Sequence, residues 1–329
     1  MSIIIFLVIL AVLVLIHETG HFLTAKLFGI RVDEFGLGFP PKIWGRKIGE
    51  TLYSINAIPL GGFVKIFGED LSEVEMIGVR GVDEKRSFAK KPRVIQTLLL
   101  LAGVTFNFLF AIILLSAGFM VGLPTSINET NRRDAISTKV IVTSVGDHGP
   151  AKEMGLMSGD TILSLSDHNS VLERNQVTPA NVQKFIIERA NKEIVLTYER
   201  ENKSTVVRIT PRKGVIGDTP AIGIGMDEVG KVRYSFFKSI EEGAKLTGIL
   251  TLNTALGLVN LITESIHGRA NLSDVSGPIG IAGLVGEASR SGFIYLLVFT
   301  AFISSNLGVL NLIPFPALDG GRLFFLLIE

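Results

Sequence analysis

Apolar residues in this chain gather into long uninterrupted runs. Residues 2–28 are apolar apart from one short polar cluster, residues 94–123 form a second run, and residues 292–313 form a third. Each exceeds the roughly 20 residues that a helix needs to cross a hydrocarbon core, so the pattern predicts three membrane-spanning helices. A fourth stretch, apolar over residues 246–262, is interrupted by Asn253, Thr254 and Asn260. Those polar positions predict an amphipathic helix lying at the interface rather than a further span. Between the runs the pattern changes period. FGLGFP (35–40) and YSINAIPLGGFVKIFG (53–68) mix glycine, aromatic and β-branched residues and predict short strands with glycine-marked turns. Their apolar character puts this sheet on or into the membrane face, where an edge must be covered by protein or line a water-filled cavity. Residues 138–212 alternate strand signals (139–145, 161–165, 194–198, 205–210) with a helix over 179–190 opened by proline, which predicts a water-soluble α+β module.

Composition sharpens this order of parts. Of 329 residues 47% are hydrophobic, which argues against a purely soluble protein. The net charge of +1 and the lack of a Lys/Arg-rich run exclude a polyanionic partner such as nucleic acid. Cysteine is absent, so there are no disulfides or thiolate ligands, and a metal can be held only by His, Asp or Glu. The loop at 29–93 ends in Lys85, Arg86, Lys90, Lys91 and Arg93, whereas no charged side chain precedes the first span. Positive-inside bias therefore places that loop in the cytoplasm and the N-terminus and residues 124–233 outside, with Arg322 back on the cytoplasmic side. The first run has no basic n-region and no small-residue cleavage site, which predicts a retained span.

Two clusters carry candidate chemistry. His17-Glu18-Thr19-Gly20-His21 sits late in the first span. On a helix, positions i and i+4 share a face, so both imidazoles converge on one metal ion, with Glu18 adjacent to accept a proton from water. Ionisable groups inside a span are expensive and mark a functional site more often than a polar cluster satisfied by a neighbouring helix. A catalytic zinc wants a third protein ligand. Asp319 stands out, in NLIPFPALDGG (311–321), where two prolines break the helix and a glycine pair permits close approach. The two clusters reach one depth only if the first and third runs cross in the same direction, which holds if the 246–262 helix stays at the interface.

HETGH in an N-terminal span with NLIPFPALDGG in a later one resembles the site-2 protease family of intramembrane zinc metalloproteases, in its bacterial RseP-type branch. FGLGFPPKIWG and INAIPLGGFVKIFGED resemble that branch's membrane-associated β region. RSFAKKPRVIQTLLLLAGVTFNFLFA resembles its second span, although the family often has proline where Val104 stands, and SDVSGPIGIA resembles the stretch before its LDG span. The resemblance implies zinc held by His17, His21 and Asp319, with Glu18 as catalytic base and acid. It puts substrate-binding positions at Asn306, Asn311, Pro314 and Pro316, and Asn107 in the same cavity. The Gly-rich region, Gly61 and Gly62 included, is expected to offer backbone to an extended substrate. GPAKEMGLMSGD (149–160) resembles the turn-and-strand signature of a PDZ domain.

The expected protein is thus a polytopic α-helical membrane protein with a membrane-associated β region and an inserted α+β PDZ domain. Its parts are a first span (1–29), a cytoplasmic β region (30–93), a second span (94–123), an extracytoplasmic PDZ domain (124–235), an interfacial helix with connector (236–290) and a third span (291–329). Relatives commonly continue past the LDG span, so a further C-terminal helix is expected beyond Glu329. The expected setting is the bacterial inner membrane. The implied partners are the lipid bilayer and single-span membrane proteins such as anti-sigma factors or signal-peptide remnants, admitted after an outer domain has been cut away. The rivals are a membrane zinc transporter and a catalytically dead PDZ scaffold.

Overall fold

A computed structural model describes residues 1–69, 84–128, 131–200, 203–269 and 277–328. Asp70 and residues 273–276, which belong to two of the motifs above, lie outside the described residues, as does Glu329. The chain divides into two compact units, the first made of Met1–Gly118 and Phe236–Glu329, the second of Phe119–Ser235.

The first unit contains α1 (Ser2–Leu27), β1 (Val32–Ile48), β2 (Thr51–Ile66) and α2 (Arg93–Val121). Helix α1, rich in Ile, Leu and Val up to Ile16, extends for 26 residues, about 39 Å at 1.5 Å per residue, enough to cross the hydrocarbon core. Gly29 ends it with a left-handed φ of 65°. That turn lets the Ile30 N–H reach Ala25 O at 2.8 Å, a glycine C-cap. Helix α2 packs tightly on α1, since a Cβ on Gly20 would stand 2.5 Å from Ala102 O.

In the sheet, residues 32–37 of β1 pair on one side with residues 52–55 and on the other with 62–66, while 42–48 pair with 51–56. The segments therefore lie in the order 42–48, 51–56, 32–37, 62–66, and among the described residues the last is an edge. Val32 and Ile66 are buried with Ala25, Ile30 and Leu99, which fixes that edge against α1 and α2.

The second unit holds β3 (Leu123–Ser126), β4 (Ala135–Val145), α3 (Pro150–Glu153), β5 (Thr161–Ser166), β6 (Val171–Leu172), α4 (Pro179–Ile187), β7 (Ile194–Arg200), β8 (Lys203–Ile209), β9 (Arg212–Ile216), β10 (Thr219–Ala221) and β11 (Ile224–Val232). Its main sheet is antiparallel in the order β3-β11-β4-β5-β7-β8, with β6 beside β5, and β9 pairs with β10. Thr178 caps α4 by accepting from the Asn181 N–H, and Pro179 follows at the first turn. Val182 and Ile186 of α4 then bury against Val140, Ile162, Leu165 and Leu196 of the sheet.

The first unit resumes with α5 (Phe236–Ile266), α6 (Pro278–Ser291), α7 (Phe293–Asn311) and α8 (Asp319–Ile328). Among the described residues four helices, α1, α2, α5 and α7, are long and apolar enough to cross a membrane. The stretch expected at the interface is thus one continuous 31-residue helix that meets the length and hydropathy of a span. The polar positions that suggested an interfacial face have another use in part. Thr254 bonds Asn306 at 2.6 Å, and one turn earlier Thr251 bonds Ser305 at 2.9 Å, so this side of α5 is stitched to α7. Above these pairs, Leu246 and Leu250 pack on Ala111, Leu115 and Ala301.

Helix α7 runs beside α1 and in the same direction. Leu296 and Phe299 near its start join Ile5, Phe6 and Ile9 of α1 in one cluster, and Asp319, just past its end, reaches His17. The segment expected as the third span, residues 291–329, is therefore two helices. Asn311 closes α7, residues 312–318 turn through Pro314 and Pro316, and Asp319 opens α8.

Candidate functional site

His17 and His21 are one helical turn apart on the buried face of α1. Facing them on α2 is a stripe at every fourth position, Leu99, Gly103 and Asn107. The Leu99 carbonyl lies 2.9 Å from His21 Nδ1, and the Asn107 amide lies 3.1 Å from His17 Nδ1. Between them Gly103 leaves room for the rings, since a Cβ there would come within 2.6 Å of His17 Nε2 and closer still to His21 Nε2.

Asp319 arrives from the opposite side. Gly320 and Gly321 let the first turn of α8 lie directly on the preceding loop. A Cβ on Gly320 would collide with the Leu312 carbonyl, and one on Gly321 with the Phe315 carbonyl. As the first residue of α8, the Asp319 carboxylate sits at the positive end of that helix. Its Oδ2 is 2.9 Å from His17 Nε2 and 3.3 Å from His21 Nε2, and the two Nε2 atoms are 3.1 Å apart.

That triangle can be tested against a metal ion. A tetrahedral zinc with ligand bonds of about 2.05 Å has ligand–ligand edges of about 3.3 Å. The three edges observed are 2.9, 3.1 and 3.3 Å, so a small adjustment seats the ion. The outer partners fit as well. A lone pair on Nε2 requires the proton on Nδ1, and His21 has the Leu99 carbonyl there to accept it. For His17 the neighbouring group is the Asn107 amide, whose Oδ1 is buried without a hydrogen-bond partner among the described residues. Turning the amide over presents that oxygen to the ring. The donor set, two imidazoles and one carboxylate without thiolates, suits zinc.

Glu18 lies beside the triangle. With His21 and Asp319 it lines a cavity of about 200 Å³ whose other walls include Leu100 and the sheet edge at Phe63, Val64 and Ile66. Gly61 and Gly62 are buried, and a Cβ on Gly62 would approach Glu18 Cγ at 3.8 Å. An ion pair between Arg322 of α8 and Glu69, just past β2, closes another part of the wall.

The sequence-expected substrate positions part company. Asn311 Nδ2 is 3.5 Å from His17 Nδ1 and so belongs to this site. Asn306 faces α5 instead, accepting from Thr254. Pro314 and Pro316 are exposed on the turn before α8. Gly103, Glu69 and Arg322 escaped the sequence reading. A glycine at the fourth position before Asn107 in a largely apolar helix was the available sign for the first. Ser304, also unforeseen, is fully buried and donates to the Asn107 carbonyl at 2.8 Å, holding α7 to α2 at this level.

A protein in which two buried histidines and a half-buried aspartate converge among membrane-length helices, with a glutamate beside them, is built as a membrane metallopeptidase. The model of peptidase family M50 matches residues 5–329, and the chain belongs to that family, the site-2 protease family its motifs resemble. A Clostridium perfringens protein is 33% identical over all of this chain and 88% of its own length, and a Helicobacter pylori protein is 32% identical over 95% of this chain and 85% of its own. Both bear the name "Putative zinc metalloprotease". The zinc metalloprotease RasP of Geobacillus kaustophilus is 30% identical over all of this chain and 89% of that protein. The chain is a zinc metalloprotease of this family.

Proposed function

We propose that this chain is an intramembrane endopeptidase that cuts the transmembrane segments of single-span membrane proteins, in regulated proteolysis that follows a first extracytoplasmic cut. The observation that carries this is the convergence of His17, His21 and Asp319 beside a cavity lined by Glu18, His21, Asp319 and the sheet strand at Phe63, Val64 and Ile66.

His17, His21 and Asp319 are the ligands in this reading. A zinc ion held there would supply Lewis acidity, polarising the scissile carbonyl and easing deprotonation of water near neutral pH. Glu18 takes the proton of the attacking water and delivers it to the leaving amine nitrogen. Asn311, beside His17, hydrogen-bonds the substrate backbone near the cut. Asn306, turned to Thr254, serves instead to hold α7 against α5.

A helical substrate hides its carbonyls in its own hydrogen bonds, so it must be stretched before it can be cut. Among the described residues the strand at 62–66 pairs with β1 on one side only, and Phe63, Val64 and Ile66 line the cavity. A segment added to that edge trades helix bonds for strand bonds without exposing polar groups to lipid. The second unit acts as an extracytoplasmic PDZ module that admits substrates already trimmed of their outer domain. The setting is the bacterial cytoplasmic membrane, with residues 30–93 facing the cytoplasm.

The test is cleavage of candidate single-span proteins in membranes, comparing the intact chain with Glu18→Gln. The glutamine variant should retain zinc and lose cleavage by about 100-fold or more. Zinc flux without proteolysis in the intact chain would assign the same residues to transport instead.

A further inference from the structure

Trp44 is the only tryptophan of the chain, and it stands 53% exposed in the outermost segment of the sheet. Ile55 is its cross-strand partner, and nearby Phe39 faces Ile58 in the same way. Ile48 shares the face of Trp44 and Ile43 projects from the opposite one, and each of these six residues exposes between 42 and 70% of its area. Soluble surfaces rarely leave such a patch uncovered.

Lys42, Arg46 and Lys47 are exposed in the same segment, and there is no acidic residue between residues 35 and 49. The acids flanking the hairpin are already engaged. Asp33 pairs with Arg31, Glu34 accepts from Ser54, and Glu50 is shared by Lys26 and Arg86. An apolar and aromatic face rimmed by free cations does not match the interior of another protein, which would leave those charges desolvated and unpaired. It matches the lipid–water boundary, where indole rings settle at headgroup level, cationic side chains extend their stems through apolar surroundings, and an anionic leaflet attracts the charges.

We propose that the hairpin at 39–58 is a docking surface for anionic phospholipids of the cytoplasmic leaflet. Trp44, Phe39, Ile55 and Ile58 enter the boundary, and Lys42, Arg46 and Lys47 meet phosphate groups. The proposal rests on the reading of this sheet as membrane-facing and adds the class of lipid. It also has a consequence for the site, because the same sheet ends in the 62–66 edge. A hairpin fixed to headgroups holds that edge at one depth beside Glu18.

The single tryptophan makes this directly measurable. The full chain is reconstituted into phosphatidylcholine vesicles with or without phosphatidylglycerol, and Trp44 emission is followed together with its quenching by lipids brominated along the acyl chain. With phosphatidylglycerol the emission should shift to the blue and quenching should strengthen. High salt and the triple variant K42Q/R46Q/K47Q should abolish that response. Each cation near an anionic surface shifts such an equilibrium about fivefold, so losing three weakens docking on the order of a hundredfold. Trp44→Phe supplies the background signal.

Equal quenching with and without phosphatidylglycerol would overturn the lipid class while leaving the sheet at the membrane. No quenching in any vesicle would overturn the membrane-facing reading itself. A blue shift that follows protein density rather than lipid charge would assign the face to a second copy of the chain and overturn the proposal.

Discussion

Gly103 lies against the His17 ring so closely that a methyl group on it would come within 2.6 Å of Nε2, the atom that faces Asp319. Alanine in the middle of a helix is favoured over glycine by about 1 kcal/mol, so helix propensity alone would make Gly103→Ala stabilising. The packing says otherwise, because the methyl group can be admitted only if the imidazoles move. Displacing a reacting group by about 1 Å costs on the order of 100-fold in rate. Gly103→Ala is therefore expected to keep its helical content by circular dichroism, to bind zinc more weakly, and to cleave about 100-fold more slowly. Wild-type zinc affinity and turnover would show that the rings do not depend on this contact.

Asn107 makes a separate claim on His17. Its amide is the group that can take the Nδ1 proton and leave Nε2 for metal. Substituting leucine, of similar size, removes the acceptor while the Ser304 bond to the Asn107 backbone carbonyl can persist. Loss of such an outer partner weakens metal affinity by about 10- to 100-fold. Asn107→Leu should show that loss in competition with a chelator, and Asn107→Asp, which restores an acceptor, should recover most of it. A role confined to packing would give the reverse order, with leucine tolerated and aspartate damaging.

How far the site was legible in the sequence follows from how local its parts are. HETGH is readable because a four-residue spacing fixes two side chains on one face whatever surrounds the helix. Asp319, 302 residues beyond His17, could be assigned only from the relative direction of two helices, and α1 and α7 do run in parallel. Asn306 and Asn311 illustrate the limit. Five residues apart, they point about 140° away from each other around α7, so only one can face His17. Which one depends on neighbours that the pattern of one helix does not contain. In the second unit, strands with clean alternation were readable, whereas β11 was not. Its sequence IGMDEVGKV carries two glycines and adjacent acids, yet it lies between β3 and β4 with Glu228 buried and paired to Arg132. A charge neutralised from a distant loop looks, in sequence, like a solvated one. Helix α6 was missed because its glycines obscure the 3.6-residue period.

The sheet edge yields a test of substrate unwinding. Gly61 has φ 146°, a conformation that residues with a side chain rarely adopt, and a Cβ there would approach the Phe39 ring at 3.2 Å. Gly61→Ala should shift residues 62–66 away from Glu18 while leaving the metal ligands in place. Cleavage of a helical transmembrane segment is expected to fall by about tenfold, the effect of losing one to two edge hydrogen bonds. A substrate carrying helix-breaking Gly-Pro near the cut should lose less, because it arrives already extended. Equal losses on both substrates would count against strand addition.

The second unit has its own pH dependence, centred on Asp160. Its side chain is only 1% exposed. Burial pushes the carboxyl pKa up, but two bonds from Arg200, at 2.6 and 2.7 Å, and the Met157 N–H at 2.9 Å outweigh it and hold the pKa below the usual value. A carboxyl depressed in the folded state contributes stability that is fully present above its unfolded pKa of about 3.9 and is lost as pH falls through the lower folded value. Asp160→Asn removes the charge but keeps the shape, at a cost of about 2 kcal/mol near neutral pH, typical of hydrogen bonds to a charged group. In hydrogen exchange on the intact chain, β5 and β7 should lose protection in the variant at pH 7. The difference from the native chain should shrink as the pH is lowered below about 4. A difference that is constant with pH would mean that Asp160 acts through shape alone.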